Sequence, residues 1–165
     1  MRVWDADSGK LLHSLEIDQP GQSVAFSPDG SVLIAGTIGT RSDASEPIRS
    51  HLFAWSLTKK QAQLRWKTPM IGDTRGVAVE PNGEWCIVIT LYAQLGFYDL
   101  KTGKLKRLWT EAGNAPNDLA VTPDGNTVVT AGQHFILWDM TAEKLPTRDL
   151  DPESALRYRS DASNI

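Results

Sequence analysis

The sequence predicts an all-β chain of tandem four-stranded antiparallel sheets, and three observations carry that expectation. Ser23 to Thr37, Gly76 to Thr90 and Asp118 to Gly132 superimpose without gaps, each an apolar run, a Pro-Asp/Asn-Gly corner and a second apolar run. A second series, VWDADSGK from Val3, AWSLTKKQ from Ala54, FYDLKTGK from Phe97 and LWDMTAEK from Leu137, places Trp4, Trp55, Tyr98 and Trp138 at spacings of 51, 43 and 40 residues. Eleven residues beyond each aromatic lie Leu15, Trp66, Trp109 and Asp149, large and apolar in three of the four units. Such a period means one supersecondary unit repeated along the chain.

The elements follow in chain order. Arg2 to Ile17 reads as two strands joined by a turn, the second half of a unit. Three complete units follow, at about 22–68, 75–111 and 117–150. The unit around Pro81 reads as strand a from Gly76 to Val79, a Pro-Asn-Gly turn, strand b from Trp85 to Thr90, strand c from Gly96 to Leu100, a Lys-Thr-Gly-Lys turn, and strand d from Leu105 to Thr110. Proline presets φ at the first corner and glycine accepts the left-handed conformation that returns the chain to its ladder. The flanking runs are too short for amphipathic helices, rich in Val, Ile, Thr and aromatics, and carry no helical stripe. Residues 151–165 are polar, without alternation, and read as a tail, a short helix or a linker.

Trp-Asp at the end of the third strand, Ser-Pro-Asp-Gly in the hairpin and Asp-x-x-Thr-Gly-Lys after it resemble the repeats of WD-repeat (WD40) β-propellers from Arg2 to about Leu150. The Gly-His dipeptide common ahead of strand a is absent, Ser56 follows Trp55, and Tyr98 stands in place of a tryptophan. Related propellers with YVTN, quinoprotein-like or lactonase-like repeats share the turn motifs. The resemblance implies an incomplete ring of about three and a half blades, expected to be a piece of a longer chain. It also implies a non-catalytic scaffold that docks a protein or peptide. The alternative is a fragment of a propeller hydrolase or quinone-dependent dehydrogenase. Self-association through the open edge strands is the other expectation for an unclosed ring.

Composition narrows the partners. The 20 acidic and 17 basic side chains leave a net charge of −3, which gives the chain as a whole no pull toward nucleic acid. No run approaches the ~20 apolar residues of a membrane-spanning helix. The N-terminus lacks the apolar core of a secretory signal, so the compartment defaults to the cytoplasm. The single cysteine, Cys86, rules out an internal disulfide and a multi-cysteine zinc site. No phosphate-binding, dinucleotide or nucleophile-elbow motif occurs, and no cofactor, metal or catalytic residue is expected.

Candidate contact residues come from chain direction. The a–b and c–d turns share one face and are formulaic, whereas the b–c and d–a connections on the opposite face are irregular and suit binding. Arg41, Asp43, Glu46 and Arg49 lie in the longest of these, an insertion from Gly39 to Ser50. The others are Asp73, Arg75, Tyr92, Gln94, Asn114, Asn117 and His134. Structural duties are expected of Trp4, Trp55, Tyr98 and Trp138, each filling the space between sheets and burying about 150–250 Å². Asp5, Asp99 and Asp139 are expected to cap tight turns, and Asp29, Asn82 and Asp124 to do so in the hairpins. Trp85, at the start of strand b, reads as core or rim packing with partial exposure as the alternative, Cys86 as a small buried hydrophobe, and His13 and His51 as strand residues.

Overall fold

The computed structural model describes residues 1–39, 48–110, 116–132 and 135–141. Thirteen strands are present among them. β1 (Arg2–Trp4) and β2 (Leu11–Ser14) form a two-stranded sheet. β3 (Gly21–Phe26), β4 (Val32–Thr37), β5 (Arg49–Leu57) and β6 (Ala62–Ile71) form the second sheet, in that order. β7 (Thr74–Val79), β8 (Trp85–Thr90), β9 (Gln94–Asp99) and β10 (Leu105–Thr110) form the third, and β11 (Asp118–Val121), β12 (Thr127–Ala131) and β13 (Phe135–Asp139) the fourth. Every pairing is antiparallel. β3 adjoins β7 and β7 adjoins β11, so the first strands of successive sheets sit side by side and the sheets stack as slices of an unclosed ring. The expected fourth strand of the last unit, Asp149 and the 151–165 segment lie outside the described residues.

The hairpin corners show why these strands begin where they do. Gly30, Gly83 and Gly125 have φ of 69, 71 and 74°, and each returns its N–H to the carbonyl three residues back. In the first corner the Asp29 carboxylate accepts from the Ser27 hydroxyl (2.6 Å), the Ser31 N–H (3.0 Å) and the Ser31 hydroxyl (2.7 Å). Those bonds, Ser27 first, hold the Asp29 carboxyl down to about 2. Asp124 repeats the arrangement with Thr122 and Asn126.

The middle corner corrects the expectation for Asn82. Its amide takes no such role. Glu80, the residue before the proline, turns inward instead and accepts from the N–H groups of Asn82 (3.0 Å) and Glu84 (2.9 Å). The acceptor here is a carboxylate at a buried position, 1% exposed. Glu80→Ala leaves both amides without their acceptor and is expected to cost about 2–3 kcal/mol in urea unfolding. A change below about 0.5 kcal/mol would remove Glu80 from this role.

The apolar residues of the central strands face both ways, which is why β4 is buried at all six positions. Leu33, Ala35, Phe53 and Trp55 meet Leu15, with Val3 at the margin, on the side of the first sheet. Ile34, Leu52, Ala54 and Met70 meet Val77, Cys86, Val88 and Tyr98 of the third sheet. Ile87, Ile89, Leu95 and Phe97 then meet Leu119, Val128 and Trp138 of the fourth. Cys86 is fully buried, and burial pushes its thiol up to about 12, so it stays protonated.

The repeat aromatics Trp55, Tyr98 and Trp138 thus all point toward the sheet before their own. Trp4 keeps that orientation, but no described sheet precedes it, and it is 53% exposed. The expectation that it fills an inter-sheet space is corrected accordingly. The same logic leaves Phe135 73% exposed on the outer side of the last sheet. Trp85 is partly buried, with its ring edge-on to Phe97 at 5.5 Å.

The second aromatic series points the other way, toward the following sheet. Trp66 on β6 donates its indole N–H to the Leu100 carbonyl (3.0 Å) across the junction, and the Thr68 hydroxyl donates to the Gly103 carbonyl (2.9 Å). Trp109 on β10 packs on Phe97 at 4.5 Å and Trp138 at 6.1 Å. Asp5 and Asp99 cap their turns, accepting from Ser8 and Thr102 through both backbone and hydroxyl. Asp139 accepts likewise from Thr141.

Candidate functional site

The irregular side of the stack is organised around the neck of the insertion. The inserted residues 40–47, with Arg41, Asp43 and Glu46, lie outside the described residues, but both ends are visible. Arg49 and Ser50, read as loop, belong to β5, where Ser50 is buried and donates to the Gly72 carbonyl (2.6 Å). Gly39 donates its N–H to the Asp73 carboxylate (2.8 Å), and Ile48 donates to the Tyr92 hydroxyl (3.4 Å). The Gly72 N–H donates to the Ile48 carbonyl (2.6 Å). Gly39 is needed at this neck, because a side chain there would press on Ile48 at 2.6 Å and overlap the Arg49 carbonyl. Gly72, at φ 88°, turns tightly beneath the Tyr92 ring.

Of the sequence-predicted residues, then, Asp73 and Tyr92 meet at the neck, with the Arg49 backbone beside them. Arg49 contributes its carbonyl, which accepts from Gln19 Nε2 at 3.0 Å. Arg75 is half-buried on β7. Gln94 begins β9 and lines a different hollow, between the third and fourth sheets, with Ile89, Trp109, Pro116 and Trp138. That hollow, about 20 Å³, has room for roughly one water. Ala93 at its mouth adopts φ 54°, with its N–H on the Thr90 carbonyl. Asn117 is exposed and donates its N–H to Ala131. Asn114 and His134 lie outside the described residues.

Sequence reasoning passed over a polar cluster behind the neck. Gln19 Oε1 accepts from the Thr37 hydroxyl (2.8 Å) and lies 2.9 Å from His51 Nδ1, which must carry the proton because that oxygen only accepts. Burial, with the Lys67 charge behind it, lowers the His51 pKa and keeps the ring neutral, against the opposing pull of Asp18. Asp18 pairs with Lys67, whose hydrogen bond holds its carboxyl below the ordinary value. The only sequence signal for this cluster was a glutamine beside a turn proline.

The third sheet has no counterpart. Gly72 occupies the position of Gln19 in the repeat and Thr90 that of Thr37, so the buried Thr90 hydroxyl lacks the glutamine acceptor; it and the Thr74 hydroxyl find no partner among the described residues. Thr90→Val, which keeps the shape and removes an unpaired hydroxyl, is expected to stabilise the chain by about 1 kcal/mol. A loss of stability in thermal unfolding would show that the hydroxyl is satisfied after all.

Larger hollows open on the other side, among the turns that sequence reasoning assigned to structure alone. One of about 1070 Å³ runs between the second and third sheets, and another of about 490 Å³ between the third and fourth. Among the described residues, no three His, Cys, Asp or Glu side chains gather where a metal ion could be held.

Antiparallel sheets of two to four described strands, stacked face to face in an unclosed row, fit a partial β-propeller. No family model matches the chain. It is 26% identical over 148 residues to the WD repeat-containing protein WDS homolog of Arabidopsis thaliana, covering 87% of this chain and 26% of that protein. The likeness and the sheets together fit a partial WD40 propeller. The chain thus spans about a quarter of the length of the curated relative it matches.

Proposed function

We propose that this chain is part of a non-catalytic interaction scaffold and that the inserted segment 40–47 is its principal contact with a protein or peptide partner. The observation that carries the reading is the neck. The link between β6 and β7, through Gly72 and Asp73, and the turn between β8 and β9, through Tyr92, hold Gly39 and Ile48, so the insertion starts and ends at fixed points. A loop presented on a rigid scaffold binds with less ordering cost than one hinged freely. The likeness to a WD-repeat protein supports the scaffold class; the contact residues Arg41, Asp43 and Glu46, and Arg49 and Asp73 at the base, belong to the proposal. Their charges are of both signs, which favours a partner met by paired hydrogen bonds over one attracted by a single-sign field.

Replacing 40–47 with a short glycine-containing turn, leaving Gly39, Ile48 and Asp73 in place, is the test. Capture of partners by the immobilised chain is expected to fall to background while the unfolding midpoint stays unchanged. Undiminished capture by the shortened chain would refute the role of the insertion.

A further inference from the structure

We propose a second interaction surface, on the outer rim of the two central sheets, for an extended acidic polypeptide segment with interspersed apolar side chains. The evidence begins with charge placement. Residues 58–68 and 100–110, which form the last turn and outer strand of the second and third sheets, hold eight of the 17 Lys and Arg and none of the 20 Asp and Glu. The remainder of the chain therefore sets nine basic residues against all 20 acidic ones. A net charge of −3 hides a strongly basic rim on an acidic body.

The structure gathers these residues on one side. Lys59, Lys60, Arg65, Lys101, Lys104 and Arg107 are all exposed, and among the described residues none lies within ion-pair distance of a carboxylate; only Lys67 and Lys106 of the rim do. β6 and β10 are edge strands, each with a shift in register that makes Arg65 and Lys106 the unpaired extra residues. Bulges of this kind disfavour sheet extension and re-aim side chains, so recognition here runs through side chains more than through an added strand.

Arg65 and Lys101 stand on the wall of the 1070 Å³ hollow, and Lys106 and Arg107 on that of the 490 Å³ hollow. Of the three acidic residues on the same walls, Asp29 and Asp99 are committed to their own turns, and Asp99 is also paired with Lys106, while Glu84, exposed at the edge of both hollows, faces the cations from the inner side. Leu64, Leu105 and Leu108 are about half exposed between the cations, which gives the rim an apolar component that a polyanion alone would not use. Separated cations flanking apolar side chains, beside two open hollows, match acidic and apolar residues alternating on one extended chain.

The test uses the full 165-residue chain and a fluorescein-labelled peptide of repeated Glu-Glu-Leu, read by anisotropy at low and physiological salt. Saturable binding is expected, weakened about tenfold by Arg65→Glu with Lys101→Glu, and again by Arg107→Glu. The neutral pair Arg65→Gln with Lys101→Gln guards against misfolding and is expected to weaken binding in the same direction. Arg2→Glu with Lys10→Glu, two basic residues off the rim, is expected to leave affinity unchanged. Leu64→Ser with Leu108→Ser is expected to weaken binding without altering its salt dependence. Absence of saturable binding, equal weakening by the off-rim pair, or tighter binding of a single-stranded oligothymidine through the same residues would each overturn the proposal. Because Arg65, Lys101 and Arg107 take no part in the contacts that hold Gly39 and Ile48, the chain lacking 40–47 is expected to bind the peptide normally, and failure of one surface leaves the other standing.

Discussion

Gly36→Ala is expected to destabilise this chain by roughly 3 kcal/mol or more, a large penalty for one methyl group. Gly36 lies in β4, at the junction of the second and third sheets. A Cβ there would stand 2.5 Å from Thr74 Cβ, 2.7 Å from its hydroxyl, and would overlap its methyl group outright. Thr74 is completely buried at the start of β7, with nowhere to retreat. The two strands belong to different sheets, so relief requires either the sheets to separate or β7 to slide, and both expose core residues such as Ile34 and Val77. The measurement is the urea midpoint of four proteins: the parent, Gly36→Ala, Thr74→Gly and the double variant. The double variant is expected to be more stable than the sum of the two single losses predicts, by about 2 kcal/mol of coupling. Additive losses would mean that the collision is not the cause.

Trp66→Ala should have the next largest effect, about 3 kcal/mol. The indole spans the junction from the outer strand of one sheet to the last turn of the next. It covers Gly103, whose absent side chain would lie 2.6 Å from the ring, and it donates to the Leu100 carbonyl. Alanine removes the ring from the partly buried margin of the core and leaves that carbonyl without its donor. Trp66→Phe separates the two contributions, because it keeps most of the apolar surface and loses only the N–H, at about 1 kcal/mol. Gly103, at φ 69°, reports on the same latch from the opposite side. If Trp66→Ala cost no more than Trp66→Phe, the ring would be a surface ornament and the sheets would be held by their inner strands alone.

These two sites also mark where local pattern stopped being informative. β8 spans Trp85–Thr90 and β10 spans Leu105–Thr110 as read, because turn chemistry and short apolar runs set strand limits within a few residues of the corner. The inward role of Glu80 was not legible. An asparagine Oδ1 can accept the same N–H groups, so nothing in the residue types says that Glu80 takes them instead. The neck of the insertion joins Gly39 to Asp73 and Ile48 to Tyr92 over separations of 34 and 44 residues. No window of sequence contains both partners, and nothing in their types marks them as a pair. Trp4 shows the opposite failure. Its motif matches that of its buried counterparts, yet its exposure depends on whether a neighbouring sheet exists to receive it.

Sequence alone determined the unit: its four strands, its turns, and the spacing of its two aromatic series. Those features depend on backbone conformation and on alternation along a strand, both of which act over a few residues. Tertiary structure decided the rest. Stacking placed the glycines against their neighbours and brought Asp73 and Tyr92 to the base of the insertion. It also placed two basic outer strands on the edges of adjacent sheets, although their residues are some 40 positions apart in the chain. The physical reason is that a sheet's own hydrogen bonds do not specify what lies against its faces; only the burial of apolar surface between successive sheets does.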